Sequence, residues 1–139
     1  MATARSIRED LATLLTDAGY NESAYDYERL GLDKGSRVHQ SFATIADRRD
    51  YTRRPGMACG LVVIGVTLRV LLQRQRDDQS TSGYVIDDQI DYLVNALEGW
   101  TGTDYATAVD SAEHAPHDRV SAFEVVTVTM TVRCHQYRA

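Results

Sequence analysis

Cysteine is scarce: Cys59 and Cys134 are the only two in 139 residues, so no disulfide framework can organise the chain. Two free thiols in a reducing compartment are expected. None is needed for folding, because a chain of this length buries about two-thirds of its unfolded surface without a covalent staple or a metal. A basic surplus is also lacking. The formal charge is −5 at pH 7, the wrong overall sign for a protein that holds nucleic acid by its phosphates. No apolar segment precedes a cleavage site within residues 1–20, so no secretory signal is expected. The longest apolar run, Leu61 to Leu72, is broken by Thr67 and Arg69 and is too short for a bilayer. Glycine-rich phosphate loops, nucleophile elbows, paired-cysteine zinc motifs and calcium loops are missing as well.

What is present is the composition of a globular domain, 43% hydrophobic and 25% charged. Ser6, with Glu9 three residues on, reads as a capping box. Ile7, Leu11, Leu14, Leu15 and Ala18 then form one stripe, and Gly19 offers a stop, so the spacing predicts a helix over 6–18. Residues 20–35 carry Tyr20, Tyr25 and Tyr27 without a period and read as an irregular connection. Alternation over 36–46, with Val38, Gln40, Phe42 and Thr44 on one side, predicts a strand. A charged loop is expected at 47–56. The strongest strand pattern runs over 59–75, with Val62, Ile64, Val66, Leu68, Val70 and Leu72 on one face and Gly65 as a bulge position. After a polar loop at 76–83, Ile86, Ile90, Leu93, Val94 and Leu97 predict a helix over 86–98. A short strand at 103–110, a loop at 111–118 and a long strand at 120–137 complete the chain. In the last, Val126, Val128, Met130, Val132 and Cys134 share the core face. The expected fold is a single α+β domain over residues 1–139. It is a two-layer sandwich, with two helices on one face of a mainly antiparallel four-stranded sheet, in the order α-β-β-α-β-β.

Chemistry-bearing residues are few. His114 and His117, beside Glu113 and Asp118, have the spacing of helical metal ligands, but Pro116 opposes a helix and no third ligand is evident, so a solvated loop is expected. His39 and His135 read as surface or interface positions. Cys134 reads as core, because its neighbour His135 points to the opposite strand face. The pairs Asp77, Asp78 and Asp87, Asp88 bracket a loop and suit solvent or a helix N-terminus. Arg48, Arg49, Arg53 and Arg54 form the sharpest charge feature. With Asp47, Asp50 and Tyr51 interleaved, they read as a subunit or partner contact in preference to a solvated loop or a DNA contact. No catalytic residue, cofactor or metal is expected.

The succession of a helix from Ile7 to Ala18, a strand centred on Phe42 (37–45), a long aliphatic strand (Leu61 to Gln73), a helix from Ile86 to Leu97 and a last alternating strand (Phe123 to Arg133) resembles the tail terminator, or tail-completion, proteins of long-tailed phages. The resemblance covers nearly the whole chain in element order. It implies a structural virion protein, assembled in the host cytoplasm, that forms a hexameric ring at the head-proximal end of the tail. Such a ring caps the tail tube, ends its polymerisation and meets the head connector, while DNA passes through without specific binding. It implies neither catalysis nor a membrane. By region, it makes Val38, Phe42, Arg48, Arg49, Tyr51, Arg53 and Arg54 interface residues. The long 20–35 connection and the 111–118 loop depart from the simplest pattern. The alternatives are a head-completion, connector or minor capsid protein, a small α+β enzyme using Cys134 or the His114/His117 loop, and a nucleic-acid-binding module using Arg48 to Arg54.

Overall fold

The computed structural model describes residues 3–23, 27, 30, 39–52, 59–73, 84–100, 102, 104–116 and 123–137. They form an α+β fold of two helices and a five-stranded mixed sheet: α1 (Ala4–Asp17), β1 (Asn21–Glu22), β2 (Ser41–Thr52), β3 (Cys59–Gln73), α2 (Tyr84–Glu98), β4 (Tyr105–Pro116) and β5 (Phe123–Tyr137). The strand order across the sheet is β1-β2-β3-β5-β4. The β2–β3, β3–β5 and β4–β5 pairs are antiparallel.

The expected four antiparallel strands thus gain a fifth. β1 is two residues long and parallel to β2, held by Asn21 N–H donating to the Gln40 carbonyl and Ser23 N–H to the Phe42 carbonyl. Two residues carry no periodicity, so the sequence pattern could not show it. The first helix begins two residues earlier than expected because Thr3, not Ser6, is the N-cap. Ser6 N–H donates to Thr3 Oγ1, and Thr3 N–H donates to Ser6 Oγ. Glu9 instead pairs with Arg5 at 2.9 Å, one turn back. Gly19 does adopt a positive φ of 99° at the end of α1, the backbone state that a glycine stop requires.

Two loops expected from the sequence are largely strand. Residues 47–52, read as a charged loop, continue β2 as far as the pair Thr52↔Leu61. Residues 111–116, also read as loop, continue β4 to Pro116↔Glu124. Among the described residues, both stretches pair with a single neighbouring strand, and the side chains of 47–51 and 111–116 are exposed. Charge therefore hides the alternation. Residues 36–38 and 117–118 lie outside the described residues.

Each flanking strand carries one bulge, at Asp47 between Ala46 and Arg48, and at Asp110 between Val109 and Ser111. Gly65 stands opposite the first. A Cβ there would come within 3.1 Å of both Arg48 Cβ and Asp47 Oδ1, a tight contact, so the close approach of the bulged strand favours glycine. The bulge expected near Gly65 exists, but the extra residue is on the partner strand.

The core lies on one side of the sheet. Ile7, Leu11 and Leu15 of α1 and Ile86, Leu93 and Leu97 of α2 join one buried cluster with Phe42, the even-numbered residues Val62–Leu72 of β3, and Val126, Val128, Met130, Val132 and Cys134 of β5. The helical and strand stripes read from the sequence therefore meet. The opposite face is not bare, as the two-layer expectation had it. At one end Leu30, with Tyr27 beside it, covers Ala43, Leu71 and Phe123, and the Arg69 guanidinium lies 4.2 Å over the Tyr27 ring. Part of the irregular 20–35 connection thus forms a small second layer.

Candidate interaction surface

Beyond that small layer, the outer sheet face is built by the odd-numbered positions of β5 and their neighbours. Thr129 and Arg133 are exposed, and Val125, Thr127 and Thr131 are half-buried. On β4 the exposed Ala106 and Ala108 flank Thr131 and Arg133 in a shallow depression. Threonine suits such positions because its branched side chain fits a pleat while its hydroxyl meets water. The two bulges send their carboxylates onto this face. Thr67 Oγ1 donates to Asp47 Oδ2 at 3.0 Å, and Thr131 Oγ1 donates to Asp110 Oδ2 at 2.5 Å. Each bulge is thereby tied to the strand beside it by a charge-assisted hydrogen bond.

The residues expected at an interface separate into three groups. Phe42 is 1% exposed and belongs to the helix-side core, so its ring stabilises the fold and is not available to a partner. This corrects the expectation: Phe42 lies on the face of β2 that α1 covers. Arg48, Arg49 and Tyr51 are exposed along the end of β2, with Tyr51 57% accessible. The pairing alternates, so Arg48 lies on the outer face with Gly65, while Arg49 lies on the helix face with Ile64. Arg48 Nε is 3.0 Å from Asp50 Oδ2 in an exposed ion pair, which contributes little to stability. Val38, Arg53 and Arg54 lie outside the described residues.

The groups proposed for enzymatic alternatives do not converge. Cys134 is buried, its Sγ donates to the Val62 carbonyl at 3.7 Å, and desolvation raises its pKa. His114 pairs across the ladder with Val126, eight positions along β5 from Cys134, which is about 26 Å at the usual strand rise. His114 Nδ1 lies 3.5 Å from Glu124 Oε2, a carboxylate that is 2% exposed. His114 is thus on an edge strand, not in the expected loop, and His117 lies outside the described residues. His39 accepts the Gln73 N–H at Nδ1 at 2.9 Å, and burial lowers its pKa. It closes the end of β3 and has a structural task that the sequence did not suggest. Asp87 lies in the first turn of α2, where a negative charge faces the helix's positive end. Asp77 and Asp78 lie outside the described residues. Among the described residues no cluster of three or more His, Cys, Asp or Glu side chains could hold a metal ion, and no helix is long and apolar enough to cross a membrane.

What sequence reasoning missed is a polar chain joining three elements. Trp100 Nε1–H donates to Tyr105 Oη at 3.1 Å, and Tyr105 Oη–H donates to Asp10 Oδ2 at 2.7 Å. The rings meet edge to face with centroids 5.9 Å apart. Tyr105 and Asp10 are 95 residues apart, so no local signal could have paired them.

The chain matches no protein-family model and no curated protein.

Proposed function

We propose that this chain is a structural subunit of a long-tailed virus that closes with copies of itself into a ring, caps the tail tube, ends its polymerisation and joins it to the head connector. The one-sidedness of the sheet carries the reading. Both helices bury their stripes against a single face, and much of the other face is left as exposed threonine, alanine and arginine. That surface is polar enough to stay in water before assembly, and flat enough to lie against a neighbour or line a lumen. The reading is supported by the order of α1, the long strands, α2 and the last long strand, to which a two-residue strand is added after α1 and in which β2 and β4 extend beyond their expected ends. Head-to-tail contacts close into a ring when the rotation per subunit fits, and six copies are the expected number. The acidic net charge favours a channel through which DNA slides without sticking.

Purified protein, alone and mixed with tail tubes, tests this by mass photometry and electron microscopy. Rings seated on tube ends, with elongation arrested, are the expected result. A strict monomer that also leaves tube ends bare and growing overturns the reading. Binding to the portal vertex in place of the tube tip reassigns the chain to head completion.

A further inference from the structure

A cleft of about 560 Å³ runs beside α1. Among the described residues, α1 forms one wall, from Arg5 to Asp17, and Glu22 of β1 with Thr44 of β2 forms the other. Thr44 pairs with the buried Leu68, so the cleft is on the helix side and leaves the outer sheet face untouched. Its size falls in the range of ligand sites.

A helix is stabilised by acids in its first turn and bases in its last. α1 has neither. Arg5 stands in its first turn and Asp17 in its last, both against the helix dipole and both on the cleft. Arg5 is paired with Glu9 at 2.9 Å, so these two charges cancel. Arg8 and Asp17 are not cancelled. The Arg8 guanidinium donates through Nε to Thr44 Oγ1 at 3.1 Å and through Nη2 to the Thr44 carbonyl at 2.8 Å. Both acceptors are neutral, so the contact fixes the guanidinium and leaves its charge uncompensated. Among the described residues, the carboxylates of Asp17 and Glu22 have no hydrogen bond or ion pair. An unpaired acid at the C-terminal end of a helix costs stability, and such departures from local rules mark surfaces kept for a partner.

Spacing describes the partner. Arg8 and Asp17 are nine positions apart, about 13 Å along a helix. An extended chain covers that span in four steps of about 3.3 Å, whereas four steps of helix cover only about 6 Å. Between the two charges the α1 wall is Ala12, Thr13 and Thr16, side chains short enough to admit a backbone. The geometry points to a peptide-binding cleft. Its occupant is an extended segment of a partner protein, with an acidic side chain on Arg8 and, four residues away, a basic side chain on Asp17 and Glu22. A single small ion satisfies one end only. The inference goes beyond the ring reading and does not depend on it, since the cleft and the outer face lie on opposite sides of the sheet.

Fluorescence anisotropy with short end-blocked peptides and the intact chain tests this. The probe is a labelled Glu-Ser-Thr-Ser-Lys peptide. Its controls are the isomer with Glu and Lys adjacent, and the peptides with Glu or with Lys at both ends. The parent is expected to bind the spaced peptide about fivefold more tightly than the adjacent isomer, the worth of one exposed ion pair. Arg8→Gln and Asp17→Asn are each expected to lose about that factor. Asp17→Lys is expected to lose the spaced peptide and to gain the one with Glu at both ends. Its thermal midpoint is expected to rise, because a base then stands at the helix C-terminus. Binding lost while stability is gained separates a site from a damaged fold. Equal affinity for the two isomers, no binding at millimolar peptide, or an Asp17→Lys chain that binds as the parent does overturns the inference. So does tighter binding by the parent of either like-charged peptide, which assigns the cleft to an anion or a cation alone. Each of these results leaves the ring reading to its own test.

Discussion

At the scale of single residues, the acids of this chain divide into those with an internal task and those that face outward. Asp47 and Asp110 each secure a bulge by accepting a threonine hydroxyl from the adjacent strand. Asp10 ends the chain of donors that starts at Trp100. Replacing Tyr105 by Phe removes the link, leaving the Trp100 N–H without its acceptor and Asp10 without its donor. A loss of about 1–3 kcal/mol is expected, read from the urea midpoint. The same residue sets an alkaline limit. Desolvation first, then the hydrogen bond to Asp10, pushes the Tyr105 hydroxyl up to about 12, and burial pushes Tyr20 to about 12. Both folded values exceed the ordinary 10. Their stabilising contribution is therefore complete below pH 10 and is lost as pH rises from 10 through 12. Stability measured across that window is expected to fall, and to fall less steeply in Tyr105→Phe, where only Tyr20 remains. Gly102 guards the same arrangement, since a Cβ at that position would collide with the Tyr105 ring.

Whole elements repeat the division between inward and outward, one position at a time. Along β5, Val128 is fully buried beneath the helices and Thr129, the next residue, is exposed on the opposite face. An aspartate at each reports which face is which. Val128→Asp buries an unpaired charge and is expected to cost about 4 kcal/mol or more, enough to unfold a domain of ordinary stability. Thr129→Asp is expected to leave the unfolding midpoint within about 0.5 kcal/mol of the parent, while weakening ring assembly or tube binding. Circular dichroism melts together with electron microscopy of assemblies measure both. A Thr129→Asp variant that assembles normally argues that the outer face meets no neighbour.

These elements were legible to different degrees for one physical reason. Both helices and the two central strands β3 and β5 bury one face in the main core, although β3 also buries Gly65, Thr67 and Leu71 on the other, and burial imposes a period that the residues must obey. Ile7, Leu11 and Leu15, or Val126, Val128 and Met130, display it openly. The outer halves of β2 and β4 bury almost nothing. Arg48-Arg49-Asp50 and Ser111-Ala112-Glu113 are strand because a neighbour's backbone is beside them, and backbone pairing leaves no mark on side-chain type. The candidate surface was legible in part. Arg48, Arg49 and Tyr51 are exposed, as a partner contact and a solvated loop both require, but Phe42, placed at an interface only by region through the resemblance, is buried in the helix-side core.

At the scale of the molecule, the described residues leave much of one sheet face exposed, and the proposed association through it links assembly to stability. If rings form from native subunits, mass action makes the thermal midpoint rise with protein concentration. A series of melts from dilute to concentrated protein is expected to show that rise for the parent and a smaller one for Thr129→Asp. A parent midpoint independent of concentration, where rings are present, indicates that the contact adds nothing to folded-state stability.

The amino-acid order alone determined the class of fold, both helices, the two central strands and which of their faces is greasy. Each follows from local periodicity and local turn chemistry, available within a dozen residues. Tertiary structure alone decided that β5 lies between β3 and β4, that β1 joins β2, that Tyr105 reaches Asp10, and that the two bulged strands stand on opposite sides of the central pair. Those are relations between residues tens of positions apart, set by which surfaces exclude water together, and no local window of sequence contains them.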